Sequence, residues 1–171
     1  MGRSLIEGVP YHIENYEAYL GNSIGESEWL KIDQNRVNLF GDATDDRNPL
    51  HVDPAWSAEH SPFDGTIAHG FLTLSMMSYL SLSGELQPDG VDYGINLGFE
   101  RVRFLAPVMV DDRIKMRSSL LDCKLRSPGK WWFKSRCSIV TEKTGKVVLS
   151  AIWLVLFINM AQAGEENRPF G

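Results

Sequence analysis

Asp46 and His51 stand five residues apart in "DATDDRNPLHVDP" (residues 42–54), with Asn48 and Pro49 between them. A carboxylate and an imidazole suit acid–base work near neutral pH, because the imidazole changes charge there. Pro49 disfavours helical backbone at Asn48, so a helix arriving from the N-terminal side ends by about Arg47 and the chain turns. Such a turn can bring Asp46, at the helix end, and His51, beyond it, to face one space and hold a water molecule between them. Solvated loop punctuation is the alternative reading of the same residues.

A second stretch, "GTIAHGFLTLSMM" (residues 65–77), delivers His69 and Gly70 to the start of an apolar segment. If that segment is a helix, its first backbone N–H groups lack intrahelical partners and carry the positive end of the helix dipole. Gly70, without a Cβ, leaves room for a ligand oxygen to reach those donors, an oxyanion-hole arrangement for a carbonyl gaining negative charge. The alternatives are a Gly70 that lets the helix start pack closely and a His69 that is a packed, hydrogen-bonded core histidine. Ser78, further along, reads first as a hydroxyl bonded to its own helix backbone and second as a substrate contact.

Two kinds of segment must position these groups. The first half is helical and loop-rich. "IENYEAYLGN" is a short helix ending near Gly21, and "SEWLKI" is a strand. Asp33 caps a helix through "QNRVNLFGDAT", with Val37, Leu39 and Phe40 on its apolar side. "PAWSAEHS" begins with Pro54 at a first helical position. "FLTLSMMSYLSLSG" is apolar nearly all round and closes at Gly84, as a helix wrapped by other structure does. The second half reads as four β-rich runs, "YGINLGFERVRFLAPV", "DRIKMRSSLLDCKLRS", "KWWFKSRCSIVTEK" and "KVVLSAIWLVLFI", broken at Pro107, "SPGK" and "EKTGK". The last two breaks are short and contain Gly, so the strands they join are antiparallel neighbours. Helices followed by an antiparallel meander make an α+β domain, with the sheet wrapped round the apolar helix.

Composition narrows the classes. With 171 residues, 43% hydrophobic and 23% charged, the chain holds one buried core, and residues 1–171 read as a single domain. The first ten or so residues and the tail "AQAGEENRPFG" are expected to be loosely ordered. Cys123 and Cys137 lack metal-ligand spacing and read as buried free thiols of a reducing compartment. "MGRSLIEGVP" has no apolar signal core, and the longest apolar run, Val147 to Ile158, falls well short of the ~20 residues a membrane helix needs. A cytoplasmic protein without membrane attachment is expected. The net charge of −5 is unevenly spread: residues 1–100 hold 4 Lys/Arg against 16 Asp/Glu, residues 101–136 hold 10 against 3. The basic segment either meets an anion or forms a solvated sheet face, and the acidic whole makes nucleic acid a poor partner.

At these residues the chain resembles the MaoC-like, or (R)-specific, enoyl-CoA hydratases. "TDDRNPLHVDPAWSA" is similar to their signature G-D-x-N-P-hydrophobic-H, "IAHGFLTLS" to a second block and "RVRFLAPVMVDDRI" to a third, together spanning roughly residues 30–115. The detailed sequence also resembles the subgroup named after nodulation protein N. The resemblance implies a hot-dog fold, commonly dimeric, and carries the catalytic Asp and His onto Asp46 and His51. It carries the oxyanion donor onto Gly70, with a supporting polar position at Asn48 and a pocket serine at Ser78; His69 is expected in the same oxyanion and substrate-binding group. Two departures stand out: Asp45 where the signature has Gly, and Leu97 where many related chains have Tyr.

The expected reaction is reversible hydration of a trans-2-enoyl thioester, on coenzyme A or acyl carrier protein, to an (R)-3-hydroxyacyl thioester. Neither a metal nor a flavin or nicotinamide cofactor is expected, since the sequence spacing gives no ligand cluster and no Gly-rich phosphate loop. Arg101, Arg103 and Lys124 are candidates for the phosphates of coenzyme A. Thioester hydrolysis is a rival reading, disfavoured because Gly70–Gly84 contains no Asp or Glu; a silent acyl-binding or assembly subunit is another. The last strand is apolar on both faces, Val147, Leu149, Ala151 and Trp153 against Val148, Ile152, Leu154 and Leu156, which predicts a homodimer or larger homo-oligomer.

Overall fold

In a computed structural model, which describes residues 4–164, a 3-10 turn at Ile13–Asn15 leads into α1 (Tyr16–Tyr19), β1 (Ser23–Glu26) and β2 (Leu30–Lys31). Then come α2 (Gln34–Thr44), α3 (Pro49–Val52), α4 (Pro54–His60) and α5 (Gly70–Ser83). Strands β3 (Tyr93–Phe104), β4 (Arg113–Ser127), β5 (Lys130–Thr141) and β6 (Val147–Ile158) follow, and α6 (Met160–Ala163) closes the described chain. The sheet runs β1-β4-β5-β6-β3, with β2 also on β4, and every named pairing is antiparallel. This is the α+β hot-dog arrangement. It differs from a plain meander in one respect: β3 crosses over to pair with β6, Tyr93 opposite Ile158 and Phe104 opposite Leu149, so it forms a sheet edge.

The strands alternate as a sheet with one buried face must. On β4, Ile114, Met116, Ser118 and Leu120 are buried, while Arg113 and Arg117 point outward. Leu72, Met77 and Leu80 of α5 close the core against them, with Phe133, Ile139, Leu149 and Trp153. Each such side chain contributes roughly 1.5–3 kcal/mol when fully buried. The outward cations are largely matched: Arg113 with Glu142, Lys115 and Arg117 with Glu26, Lys124 with Asp122, Lys134 with Glu100. Most of the basic segment is therefore the solvated sheet face. Cys123 and Cys137 are free and buried, and burial pushes the Cys123 thiol up to about 12.

Several local expectations need correction. Leu39 is 60% exposed, so α2 buries Val37 and half-buries Phe40 but not Leu39. The strand expected over "SEWLKI" shrinks to Leu30–Lys31, and β1 precedes it unannounced because Gly25 interrupts the apolar alternation. The start of the expected loose tail is helical at Met160–Ala163, capped by Asn159. At the other end, residues 4–10 of the expected loose segment are described, with Ile6 bridged to Val9 and the Val9 carbonyl accepting from the Tyr19 hydroxyl, while residues 1–3 and 165–171 lie outside the described residues. Nor is α5 covered all round: Phe71, Ser75, Ser78, Tyr79 and Leu82 form an exposed stripe in the single chain. Among the described residues no helix is long and apolar enough to cross a membrane.

Candidate active site

Helix α2 starts as its sequence demands, with the Asp33 carboxylate accepting from the Arg36 amide at 2.8 Å. It ends at Asp45, whose φ of 58° is left-handed. That explains why a glycine suits this position: only Gly adopts the conformation freely, and Asp is among the few others that tolerate it. Replacing Asp45 with Ala is expected to destabilise the fold by about 1 kcal/mol, with Gly nearly neutral, read as midpoint shifts in urea unfolding. The reversal delivers Asp46, and Arg47 folds back onto Asp42 at 3.0 Å.

Asn48 and Pro49 then do more than turn the chain. The Asn48 side-chain oxygen accepts from the Leu50 amide at 3.0 Å and Pro49 takes the first helical position, so this segment is a one-turn helix, α3, carrying His51. The Asn48 carbonyl group is thereby engaged in capping its own helix. Gln34 anchors α3 from outside by donating to the His51 backbone oxygen at 2.7 Å, and Thr66 donates to Gln34 in turn. Gln34 escaped the sequence reading because it sits at a helix start among polar residues, with no spacing signal toward His51.

The tautomers follow from the partners. His51 Nδ1 lies 2.7 Å from the Ile67 carbonyl; a carbonyl only accepts, so Nδ1 carries the proton and Nε2 keeps a lone pair. His69 Nε2 lies 2.9 Å from the Asp46 carbonyl and donates to it, leaving His69 Nδ1 buried without a partner. The two imidazoles pack face to face but tilted by 32°, with centroids 3.9 Å apart, and His69 is only 3% exposed. His69 is thus the packed core histidine, behind Asp46 and His51, while the Asp46 side chain is 55% exposed.

Asp46, His51 and His69 each offer a polar atom, all within 4.8 Å of one another. Sequence spacing hid this cluster, because His69 joins it from a different helix. His51 Nδ1 and His69 Nε2 already donate to carbonyls, so a metal would have to take His51 Nε2, the Asp46 carboxylate and the buried His69 Nδ1. What remains directed outward is one imidazole lone pair and one carboxylate. A gap of up to 4.8 Å is bridged by a single water making two hydrogen bonds of about 2.8 Å.

A cavity of about 360 Å³ opens beside His51, lined by Ile67, Gly70, Thr73, Phe104, Val108 and others. No side chain caps the start of α5, so the backbone N–H of Gly70 lies at an uncapped helix N-terminus on this cavity's wall. A Cβ at Gly70 would lie 3.1 Å from the Phe104 ring, so glycine here also serves close packing. Ser78 is not brought to this site. It lies two turns along α5 on the wall of a second cavity, and its hydroxyl makes no hydrogen bond to the helix backbone among the described residues, unlike Ser75, which bonds Phe71. Arg101 and Arg103 lie next to Phe104, and neither has a carboxylate partner among the described residues. Lys124 is level with Ile95 across the sheet, about 23 Å along the strand direction from Phe104, and it pairs with Asp122.

Comparison with known proteins adds the following. The family model described as MaoC like domain matches residues 15–131. Nodulation protein N of Rhizobium meliloti is 39% identical over 157 residues, covering 92% of this chain and 95% of that protein. The 3-hydroxyacyl-thioester dehydratase Z of Mycobacterium tuberculosis is 43% identical over 109 residues, 64% of this chain and 71% of that one. Among solved structures, an unliganded R-hydratase from Pseudomonas aeruginosa aligns with a TM-score of 0.64 at 27% identity, covering 82% of this chain and 83% of that chain.

Proposed function

This chain belongs to the MaoC-like domain family, and we propose that it reversibly hydrates a trans-2-enoyl thioester to an (R)-3-hydroxyacyl thioester. The observation that carries the reading is that an Asp46 carboxylate oxygen and a ring nitrogen of His51 lie within 4.8 Å, a span one water bridges, with His51 on the wall of a cavity that also contains the N-terminus of α5. The thioester oxygen lies at the Gly70 N–H, which stabilises the enolate that forms as water adds. Water held by Asp46 and His51 bonds through its oxygen to C3; the His51 nitrogen takes one of its protons and delivers it to C2 of the enolate on the same face, which returns the imidazole to its neutral form. Dehydration is the same path reversed, and no cofactor takes part. Arg101 and Arg103, on the strand that ends at the cavity-lining Phe104, meet the phosphates of coenzyme A. The relatives' names, dehydratase and hydratase, support this chemistry. Mixing the protein with crotonyl-CoA tests it: loss of the enoyl absorbance with no thiol release is expected, whereas thiol release indicates a thioesterase and no change refutes turnover of this thioester.

Burial holds the His51 imidazole below its usual value of 6.5, the hydrogen bond to Ile67 opposes this, and the His69 ring adds to the lowering while Asp46 opposes it. The base is therefore neutral at pH 7, and kcat/KM is expected to fall only on the acid side of pH 6.5. Linkage has a definite sign. Between 6.5 and the lowered folded value the unfolded chain binds more protons, so stability declines as pH falls through that window. Urea midpoints measured at stepped pH check it.

The chain acts as a homodimer. β3 leaves one edge unpaired, and beside it lies the uncovered α5 stripe of Phe71, Tyr79 and Leu82, with Leu97 and Leu105 also exposed. A second copy with its β3 antiparallel, centred near Gly98, covers both. Light scattering is expected to give twice the chain mass for the native protein and a monomer for Leu97→Asp.

A further inference from the structure

The second cavity, about 280 Å³, lies between the later turns of α5 and the sheet and shares no lining residue with the first. Met116, Phe133, Trp153 and Phe157 give it apolar walls. Its polar lining is unusual for a core. Ser118 and Ser135, on adjacent strands, are 6% and 4% exposed, and among the described residues the only hydrogen-bond partner of either hydroxyl is the Cys137 thiol, at 3.5 and 3.4 Å. A thiol is a weak donor and a weak acceptor, whereas each hydroxyl offers one donor and two acceptor sites. Asn96, an exposed residue at the cavity's rim, accepts from the Trp153 indole N–H at 2.9 Å, so the buried unmatched polarity is that of the two serines. Polar groups left this way in an apolar surrounding are unfavourable unless something polar enters. A cavity meant for hydrocarbon alone is better served by Ala and Val at these positions.

We propose that this cavity binds the tail of a short acyl chain that carries a hydroxyl or keto oxygen near its end. The volume, at the lower limit for small-molecule sites, suits a few carbons and excludes a long fatty chain. Ser118 and Ser135 bond the tail oxygen while Met116 and Phe133 enclose the methylenes. The inference rests on the thioester reading: antiparallel β3 pairing about Gly98 sets the Tyr93 end of one copy, which borders this cavity, beside the Phe104 end of the other, which borders the Asp46/His51 site.

Isothermal titration calorimetry with two unreactive saturated thioesters, hexanoyl-CoA and 6-hydroxyhexanoyl-CoA, tests it on the whole dimer. The hydroxylated ligand is expected to bind about tenfold more tightly, as one to two buried hydrogen bonds allow. In Ser135→Ala, and independently in Ser118→Ala, that preference is expected to shrink to about twofold or less. Equal or tighter binding of hexanoyl-CoA by the native protein overturns the proposal, as does a preference that survives in both variants, or no binding of either ligand. The crotonyl-CoA assay reports separately on the reaction: turnover without hydroxyl preference sinks the tail site alone, and hydroxyl preference without turnover sinks the hydratase reading alone.

Discussion

Asp46→Asn and His51→Ala are each expected to lower kcat/KM for enoyl-thioester hydration by about 10²–10⁴, the range general acid–base groups contribute. Because neither side chain holds the thioester, the loss falls on kcat and KM moves little. The two changes differ in what they do to the fold, which makes the comparison informative. The Asp46 side chain is more than half exposed, and the structural duty of this residue lies in its backbone carbonyl, which Asn retains. Asp46→Asn is therefore expected to unfold within about 0.5 kcal/mol of the native protein. His51→Ala forfeits the Nδ1–H bond to Ile67 and the stack on His69, and about 1–3 kcal/mol of stability with them. The double variant is expected to be little worse than the poorer single one, since both groups serve one water. Native rates in both single variants would refute the assignment.

The sequence made the local half of this site readable. Asp33, Gly84 and the Asn48-Pro49 pair are short-range signals, and α2 and α5 begin and end where those residues say. The position of Asp46 and His51 on either side of one reversal follows from the same punctuation. Long-range facts were out of reach. β3 joins β6 instead of β4 because the loop from Phe104 to Arg113 carries the chain across the sheet, and alternation on a strand does not name its neighbour. Likewise Ser78 fitted a motif position, yet helix geometry sets it about 12 Å beyond Gly70 and into another cavity. The serines that line that cavity sit in strands as ordinary inward positions, and only their thiol partner marks them.

His69 illustrates how a residue can matter to a reaction without touching its substrate. The ring fills a slot against Phe40 and Gly41, donates to the Asp46 carbonyl and supports His51 by stacking. It fixes both reacting groups at once, which makes it a positioning residue. His69→Leu keeps the bulk but removes the donor, and the freed Asp46 backbone can then drift. A displacement of about 1 Å costs roughly 10²-fold in rate, so kcat is expected to fall by that order while KM stays near native. His69→Gln, with an amide donor in reach of the same carbonyl, is expected to recover part of the loss. A second readout separates positioning from mere folding. The neighbouring His69 ring helps hold the His51 imidazole low, so in His69→Leu the acid limb of the pH–rate profile is expected to move toward higher pH. If activity instead falls only in step with the folded fraction, and the profile of the folded remainder is native, His69 is a packing residue and the reacting pair is held by α3 and the Ile67 carbonyl alone.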